Sequence, residues 1–467
     1  MPPAAPAKRD GNSELQERMA EVTVVGGGLA GSEAAFQLAQ RGHRVTLYEM
    51  RPVRGTPAHR TDKLAEVVCT NSFKSEELQN AHGLLKSEMR ALGSLLLRVA
   101  QQARIPGGTA LTVDREEFSA RMTAAVTSHP RIRVRREEVA ELPAGPTIIA
   151  TGPLTSDALS QAVRRALGDE GLAFFDAIAP VVAHDSLDHQ VIFAASRWGK
   201  GEGDDYLNAP MTRAQYEAFI EALRGGEGYA GHDWENVPYF EGCLPIEVMA
   251  GRGADTLRFG PMKPVGLPVP QWDGRRAHAV VQLRREDRAG QMWNLVGFQT
   301  RLKIPEQRRI FRLIPGFEHA EFLRWGSIHR NTYLNFPARL RAHGSLQERR
   351  DLLFAGQLTG VEGYTESTAT GILAAVNLDR LVRGLEPTLP PPTSMLGGLM
   401  AYLREADAAH FQPMNSNFGL LPPLEQEVRD KARKRELLVQ RAQADFAEWM
   451  RREGVAAAAA EVEEAVT

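Results

Sequence analysis

The run Gly26-Gly27-Gly28-Leu29-Ala30-Gly31 constrains the fold of this chain more than any other feature. Residues 21–25 form a short β-branched stretch that stops at Gly26, and residues 32–41 continue with a helical pattern. A second apolar run over 44–48 ends on Glu49, so strand, tight turn, helix, strand and terminal acid stand in the register of a βαβ unit. In Gly26-x-Gly28-x-x-Gly31 the glycines supply a tight turn, a side-chain-free approach for a pyrophosphate and close helix packing, while the amides at the helix start face the phosphates. Glu49 falls where a ribose hydroxyl needs an acceptor, which favours FAD or NAD over a 2′-phosphorylated nucleotide. A lone glycine pattern is weak because such turns also cap helices; here the flanking strands and the acid give it weight.

The remaining pattern places this unit in a larger α/β protein. Apolar residues recur at helical spacing over 80–103, and Thr147-Ile148-Ile149-Ala150-Thr151-Gly152 reads as another buried strand ending at a glycine turn. Residues 175–330 change character, with Trp, Tyr, Pro and Gly scattered among short apolar runs, which reads as an inserted α+β domain. Asp351-Leu352-Leu353-Phe354-Ala355-Gly356 returns to the earlier style ahead of a helix over 367–383. The expected fold is a Rossmann-type FAD-binding domain built from both ends of the chain around that insertion. Its divisions are an N-terminal extension over 1–20, expected to be disordered, FAD-binding segments over 21–175 and 331–423, the insertion over 176–330, and a charged helical tail over 424–467. Two glycine-terminated strand ends, one early and one late, suit a long cofactor such as FAD, with ADP at one end and flavin at the other.

Composition removes other classes. No apolar run approaches the roughly 20 residues of a membrane span, and residues 1–18 lack the apolar core of a secretory signal, so a cytoplasmic protein with no membrane partner is expected. Cys69 and Cys243 are the only cysteines, far apart and without metal-ligand spacing, which disfavours a disulfide scaffold and a metal site. The net charge of -2 hides a basic segment: residues 251–341 hold 17 Lys and Arg against 7 Asp and Glu, a local +10, leaving -12 elsewhere. A solvated, salt-bridged surface is the plainer reading of such a segment; a polyanion partner is the sharper one.

Longer strings carry a family resemblance. Gly26 to Gly31 with Glu49, Ala110-Leu111-Thr112-Val113-Asp114-Arg115, Ala150-Thr151-Gly152 and the stretch from Phe354 through Gly356-Gln357 and Gly363-Tyr364 to Ser367 resemble the tRNA-modifying flavoproteins. Val68-Cys69-Thr70-Asn71-Ser72-Phe73-Lys74-Ser75, Gly242-Cys243-Leu244-Pro245-Ile246-Glu247, Thr256 to Leu267 and Phe411 to Gly419 are similar to the branch of folate-dependent tRNA uracil-5-methyltransferases. The wobble-uridine branch carries a longer C-terminal helical region, for which this chain has little room.

The resemblance implies methylation of C5 of uridine 54 in the tRNA T-loop. The carbon comes from 5,10-methylenetetrahydrofolate, reduced FAD carries the methylene and donates hydride, and NADH or NADPH is the reductant. It assigns catalysis to Cys243, as the nucleophile at uracil C6, and to Cys69 beside the flavin, with the swapped assignment left open. It assigns the cofactor to Gly26, Gly27, Gly28, Leu29, Ala30, Gly31, Glu49, Thr151, Gly152, Gly356, Gln357, Gly363 and Tyr364. Arg284, Arg285, Arg301, Lys303, Arg308 and Arg309 are the phosphate contacts suggested by composition; Tyr333, Phe259 or Trp293 are the stacking candidates, and His329 a cleft residue. Lys74 or Arg258 would favour a thiolate if close to it. Two other classes compete: a nicotinamide-dependent flavin oxidoreductase acting on a small molecule, which the lack of a Cys-x-x-Cys pair weakens, and a non-catalytic flavin-bound RNA-binding protein.

Overall fold

The computed structural model describes residues 19–56, 58–168, 172–201, 203–228, 244–285, 290–408, 411, 413–426 and 428–455, with backbone alone at 172–178 and 327–332. Strands β1 (Glu21–Val25), β2 (Arg44–Glu49), β3 (Ile132–Arg136) and β4 (Thr147–Ile149) join the late strand Leu352–Phe354 in one parallel sheet. Its order is Leu352–Phe354, β4, β1, β2, β3, so the chain leaves the sheet after β4 and returns beside it some 200 residues later.

Helix α1 (Leu29–Gln40) follows the glycine turn and has all but its last residue buried. It packs against the sheet and against α2 (Tyr364–Val382), which also meets the sheet, and glycines make that closeness possible. A Cβ on Gly31 would stand 1.8 Å from the Gly26 carbonyl oxygen, and one on Gly371 of α2 would stand 2.5 Å from Ala30 O. The helical stretch read over 80–103 is two helices, Ala81–Ala91 and Leu95–Gln102, broken where Gly93 takes φ +74° and Ser94 caps the second. Buried Glu33 of α1 accepts the amides of Leu95 and Leu96, filling donors that a helix start leaves open.

The segment between β4 and Leu352–Phe354 carries its own sheet. The antiparallel order is Phe193–Ala194, Tyr206–Met211, β5 (Ala279–Arg285), Met292–Leu295, Val181–Ala183, Phe322–Arg324, over a separate core that includes Phe219, Phe298 and Phe311. A two-stranded ladder, Leu172–Ile178 against Ser327–Tyr333, carries the chain out to this layer and back. The charged C-terminal helix Lys431–Glu453 docks on the cofactor layer through Phe446 and Trp449, whose indole N–H donates to Thr388 Oγ1 at 2.9 Å. The Ala-rich end beyond residue 455 and the extension before residue 19 lie outside the described residues.

Candidate functional site

An open cleft lies above the ends of β1, β2 and β4, where a doubly wound sheet receives its ligand. Gly26, Gly27, Gly28, Leu29 and Ala30 form its floor; Glu49, Thr151, Gly152, Gly356, Gln357, Tyr364 and Cys69 stand around it. Two of the expected cofactor residues do not reach the wall. Gly31 is spent on packing against Gly26, and Gly363, at φ +117°, faces the Glu366 carboxylate, 2.3 Å from where its Cβ would sit. Gly28 is the reverse case, since a Cβ there would meet nothing within 4 Å. The open floor at Gly28 beside the start of α1 fits a pyrophosphate.

Arg51, which the sequence reading missed, orders the ribose end. Its backbone N–H donates to Glu49 Oε1 at 2.9 Å, its Nε to the same oxygen at 3.0 Å and its Nη2 to Oε2 at 3.1 Å, while the Gly27 amide donates to Oε2 at 3.1 Å. Burial alone would raise the Glu49 pKa; the bonds and charge of Arg51 outweigh it and leave the pKa below the ordinary value. A ribose hydroxyl reaching Glu49 would share this oriented carboxylate with Arg51. The signal in sequence was the basic residue two places after the acid, which no spacing rule for this turn singles out.

Cys69 sits half-buried on the cleft wall, in a loop held by both layers of the protein. Tyr364, the first residue of α2, turns its Oη into that loop, where it accepts the amides of Val68 and Cys69 at 2.9 Å and Thr70 at 3.3 Å. Cys69 Sγ lies 3.0 Å from the same oxygen. Either atom can donate in that contact, and burial, with Cys69 beside it, raises the Tyr364 pKa well above 10 and keeps the phenol protonated. Arg115 donates to the Val67 and Val68 carbonyls. Arg284, at the end of β5, donates to Asn71 Oδ1 at 3.0 Å and to Thr70 Oγ1, and Asn71 returns a bond to the Arg285 carbonyl at 2.8 Å. Arg284 is therefore a seam residue fixing the Cys69 loop, not a free phosphate contact. The other basic candidates also have local partners: Arg285 lies over Trp293, Arg308 over Trp325, Arg301 near Glu247, and Lys303 and Arg309 pair with Glu227 and Glu306.

Behind this loop lies a buried charge cluster. Glu366 is completely buried, with His82 Nδ1 3.1 Å away and the Ser416 amide donating at 3.0 Å. Burial opposes its charge, yet Lys74, His82 and the Ser416 amide bring its pKa down to about 2. Lys74 thus serves Glu366, and Arg258 pairs with Asp255 in the inserted layer. Because the folded pKa of Glu366 lies below its unfolded value near 4.5, its contribution is present above pH 4.5 and fades as pH falls toward 2. That difference corresponds to roughly 3 kcal/mol. Thermal melts of wild type and Glu366→Gln should differ most above pH 4.5 and converge toward pH 2; a gap independent of pH would remove the charge from the account.

Cys243 and the side chain of His329 lie outside the described residues. Leu244 and the helix Ile246–Arg252 that follows are described: Glu247 accepts from Thr300 Oγ1 and the Arg301 amide, both at 2.8 Å, anchoring the helix start. Among the described residues no group of His, Cys, Asp or Glu is arranged to hold a metal, and no helix is long and apolar enough to cross a membrane.

Comparison with known proteins agrees with this geometry. The family model described as "GIDA: Glucose inhibited division protein A" matches residues 21–386. Proteins named "Methylenetetrahydrofolate--tRNA-(uracil-5-)-methyltransferase TrmFO" from Geobacter sulfurreducens and Symbiobacterium thermophilum are each 55% identical, over 92% of this chain and 98% and 96% of theirs. The chain belongs to the TrmFO family. A Bacillus cereus TrmFO is 51% identical over 90% of this chain and 96% of its own length. In fold, this TrmFO-family chain is similar to Aquifex aeolicus GidA in its form II crystal, with TM-score 0.66, 17% identity and coverage of 92% of this chain and 73% of that one.

Proposed function

We propose that this protein transfers a one-carbon unit from 5,10-methylenetetrahydrofolate to C5 of uracil 54 in the T-loop of tRNA, in the cytoplasm, with FAD bound in the glycine-floored cleft and NADH or NADPH as reductant. The observation that carries this reading is a held thiol, Cys69, on the wall of a cleft whose floor suits a dinucleotide. A small-molecule flavin oxidoreductase has no use for it.

Bound FAD, once reduced, supplies carriage of the methylene carbon and the final hydride. The residues of the chain do the rest. Gly26 to Leu29 receive the pyrophosphate without side chains in the way, and Glu49, oriented by Arg51, takes the ribose. The Cys243 thiolate adds to uracil C6, which places electron density on C5 and makes that carbon nucleophilic. Cys69, held by Tyr364, takes the C5 proton once the new carbon bond has formed, and Cys243 then leaves C6.

The test is transfer of labelled methylene carbon from methylenetetrahydrofolate into tRNA lacking the T-loop methyl group, with NADH or NADPH present, for wild type and Cys243→Ala. Label at position 54 that disappears in the variant is expected. An FAD-loaded wild-type protein that transfers no label would return the choice to the oxidoreductase and RNA-binding readings.

A further inference from the structure

The aromatic candidates of the basic segment separate by exposure. Trp293 is 3% exposed with its indole N–H bound to Gly290 O, and Tyr333 is 2% exposed with its hydroxyl on Phe411 O, so both belong to cores. Phe259 is 81% exposed. The other solvent-facing aromatic among the described residues is Trp198, 65% exposed, which the sequence reading did not name. Large apolar groups facing water are the informative exceptions on a soluble surface.

Both belong to the inserted layer, Phe259 on the string from Thr256 to Leu267 and Trp198 on a turn, Arg197–Gly199, that packs against the far end of that string. Phe259 closes the short helix Thr256–Phe259, with the exposed Lys263 four residues on. Further along, Val265 O accepts the Arg197 guanidinium at 2.8 Å and Gly266 O accepts the Trp198 amide at 3.0 Å. The indole lies so close over Gly266 that a Cβ there would come within 2.7 Å of the ring. Trp198 has φ +56°, a conformation a bulky residue keeps only where its surroundings enforce it, and such positions concentrate at ligand clamps. The same loop reaches the cofactor layer: Lys200 pairs with Glu77 at 3.2 Å, and Tyr206 donates to Gly107 O at 3.0 Å. Glu77 follows closely on the Cys69–Ser75 string, so the surface borders the seam that carries the held thiol.

We propose that Phe259 and Trp198, with Lys263 on the same string as Phe259, form a stacking surface for unpaired bases of the tRNA loop that presents the target uracil. The inference rests on the methyltransferase reading and gives that reading its RNA contact. Recognition of an RNA loop needs flat apolar faces for splayed bases and cations for the adjoining phosphates. The exposed Lys263, four residues after Phe259 on the same string, supplies a cation. Arg308 and Arg309, exposed on the same layer, add further cations beside their local partners, whereas Arg284 is engaged in the seam.

The test uses the full FAD-loaded protein and an unmodified tRNA transcript, with binding read by fluorescence anisotropy between 50 and 200 mM salt and labelled-carbon transfer read separately. Phe259→Ala and Trp198→Ala are each expected to weaken tRNA binding and raise KM for tRNA by about tenfold with kcat little changed, and Trp198→Phe to recover most of the loss. Lys263→Ala should lower the salt slope. Phe259 makes no core contact, so a normal FAD content in Phe259→Ala shows that folding is not the cause of any loss. Unchanged binding and KM in Phe259→Ala and Trp198→Ala overturn the proposal. Absence of label transfer by wild type sinks the methyltransferase reading instead, and the binding series still decides whether this surface takes RNA.

Discussion

Gly28→Val yields a folded protein without flavin colour. Gly28 has φ -74° and ψ -166°, a conformation open to any residue, and a Cβ there meets no protein atom within 4 Å. The added side chain projects instead into the space where a pyrophosphate would lie against the start of α1. FAD affinity should fall by at least about 100-fold, while the melting temperature of the cofactor-free protein stays near that of wild type. Gly31→Ala gives the opposite pair of results. Its Cβ would stand 1.8 Å from the Gly26 carbonyl, so the turn must move and stability should fall by on the order of 3 kcal/mol, with loss of flavin following from the loss of fold. Flavin absorbance and calorimetry on the two variants separate the roles, and a yellow Gly28→Val protein would place the cofactor elsewhere.

Cys69→Ala keeps its flavin and loses labelled-carbon transfer by about 1000-fold or more, the scale expected when a residue doing proton or nucleophilic chemistry is removed. An inert, half-buried cysteine would give a loss of only a few-fold. Cys69→Ser sharpens the comparison: a hydroxyl can keep the contact with Tyr364 Oη but cannot supply a thiolate, so activity should stay low although the loop is preserved. Recovery in Cys69→Ser would assign the residue to loop geometry alone.

The sequence by itself determined the nucleotide-binding half of this protein. A βαβ unit is local: turn, helix packing and terminal acid all depend on residues within one supersecondary unit, so Gly26, Gly28, Gly31 and Glu49 could be read from spacing, and the distinct textures of residues 21–175 and 175–330 marked a layered α/β architecture with an insertion. Tertiary structure decided what depends on distance along the chain. Tyr364 meets Cys69 across almost 300 residues, and Arg284 reaches the same loop from another sheet. No periodicity predicts either contact, because each is set by how α2 and β5 dock. The same cause explains why Gly363 meets the Glu366 carboxylate, why Arg51 went unnoticed, and why a count of basic residues could not separate Arg284, engaged in the seam, from Lys263 on the surface. Composition counts charges and rings; only docking of one layer on another settles which of them face water.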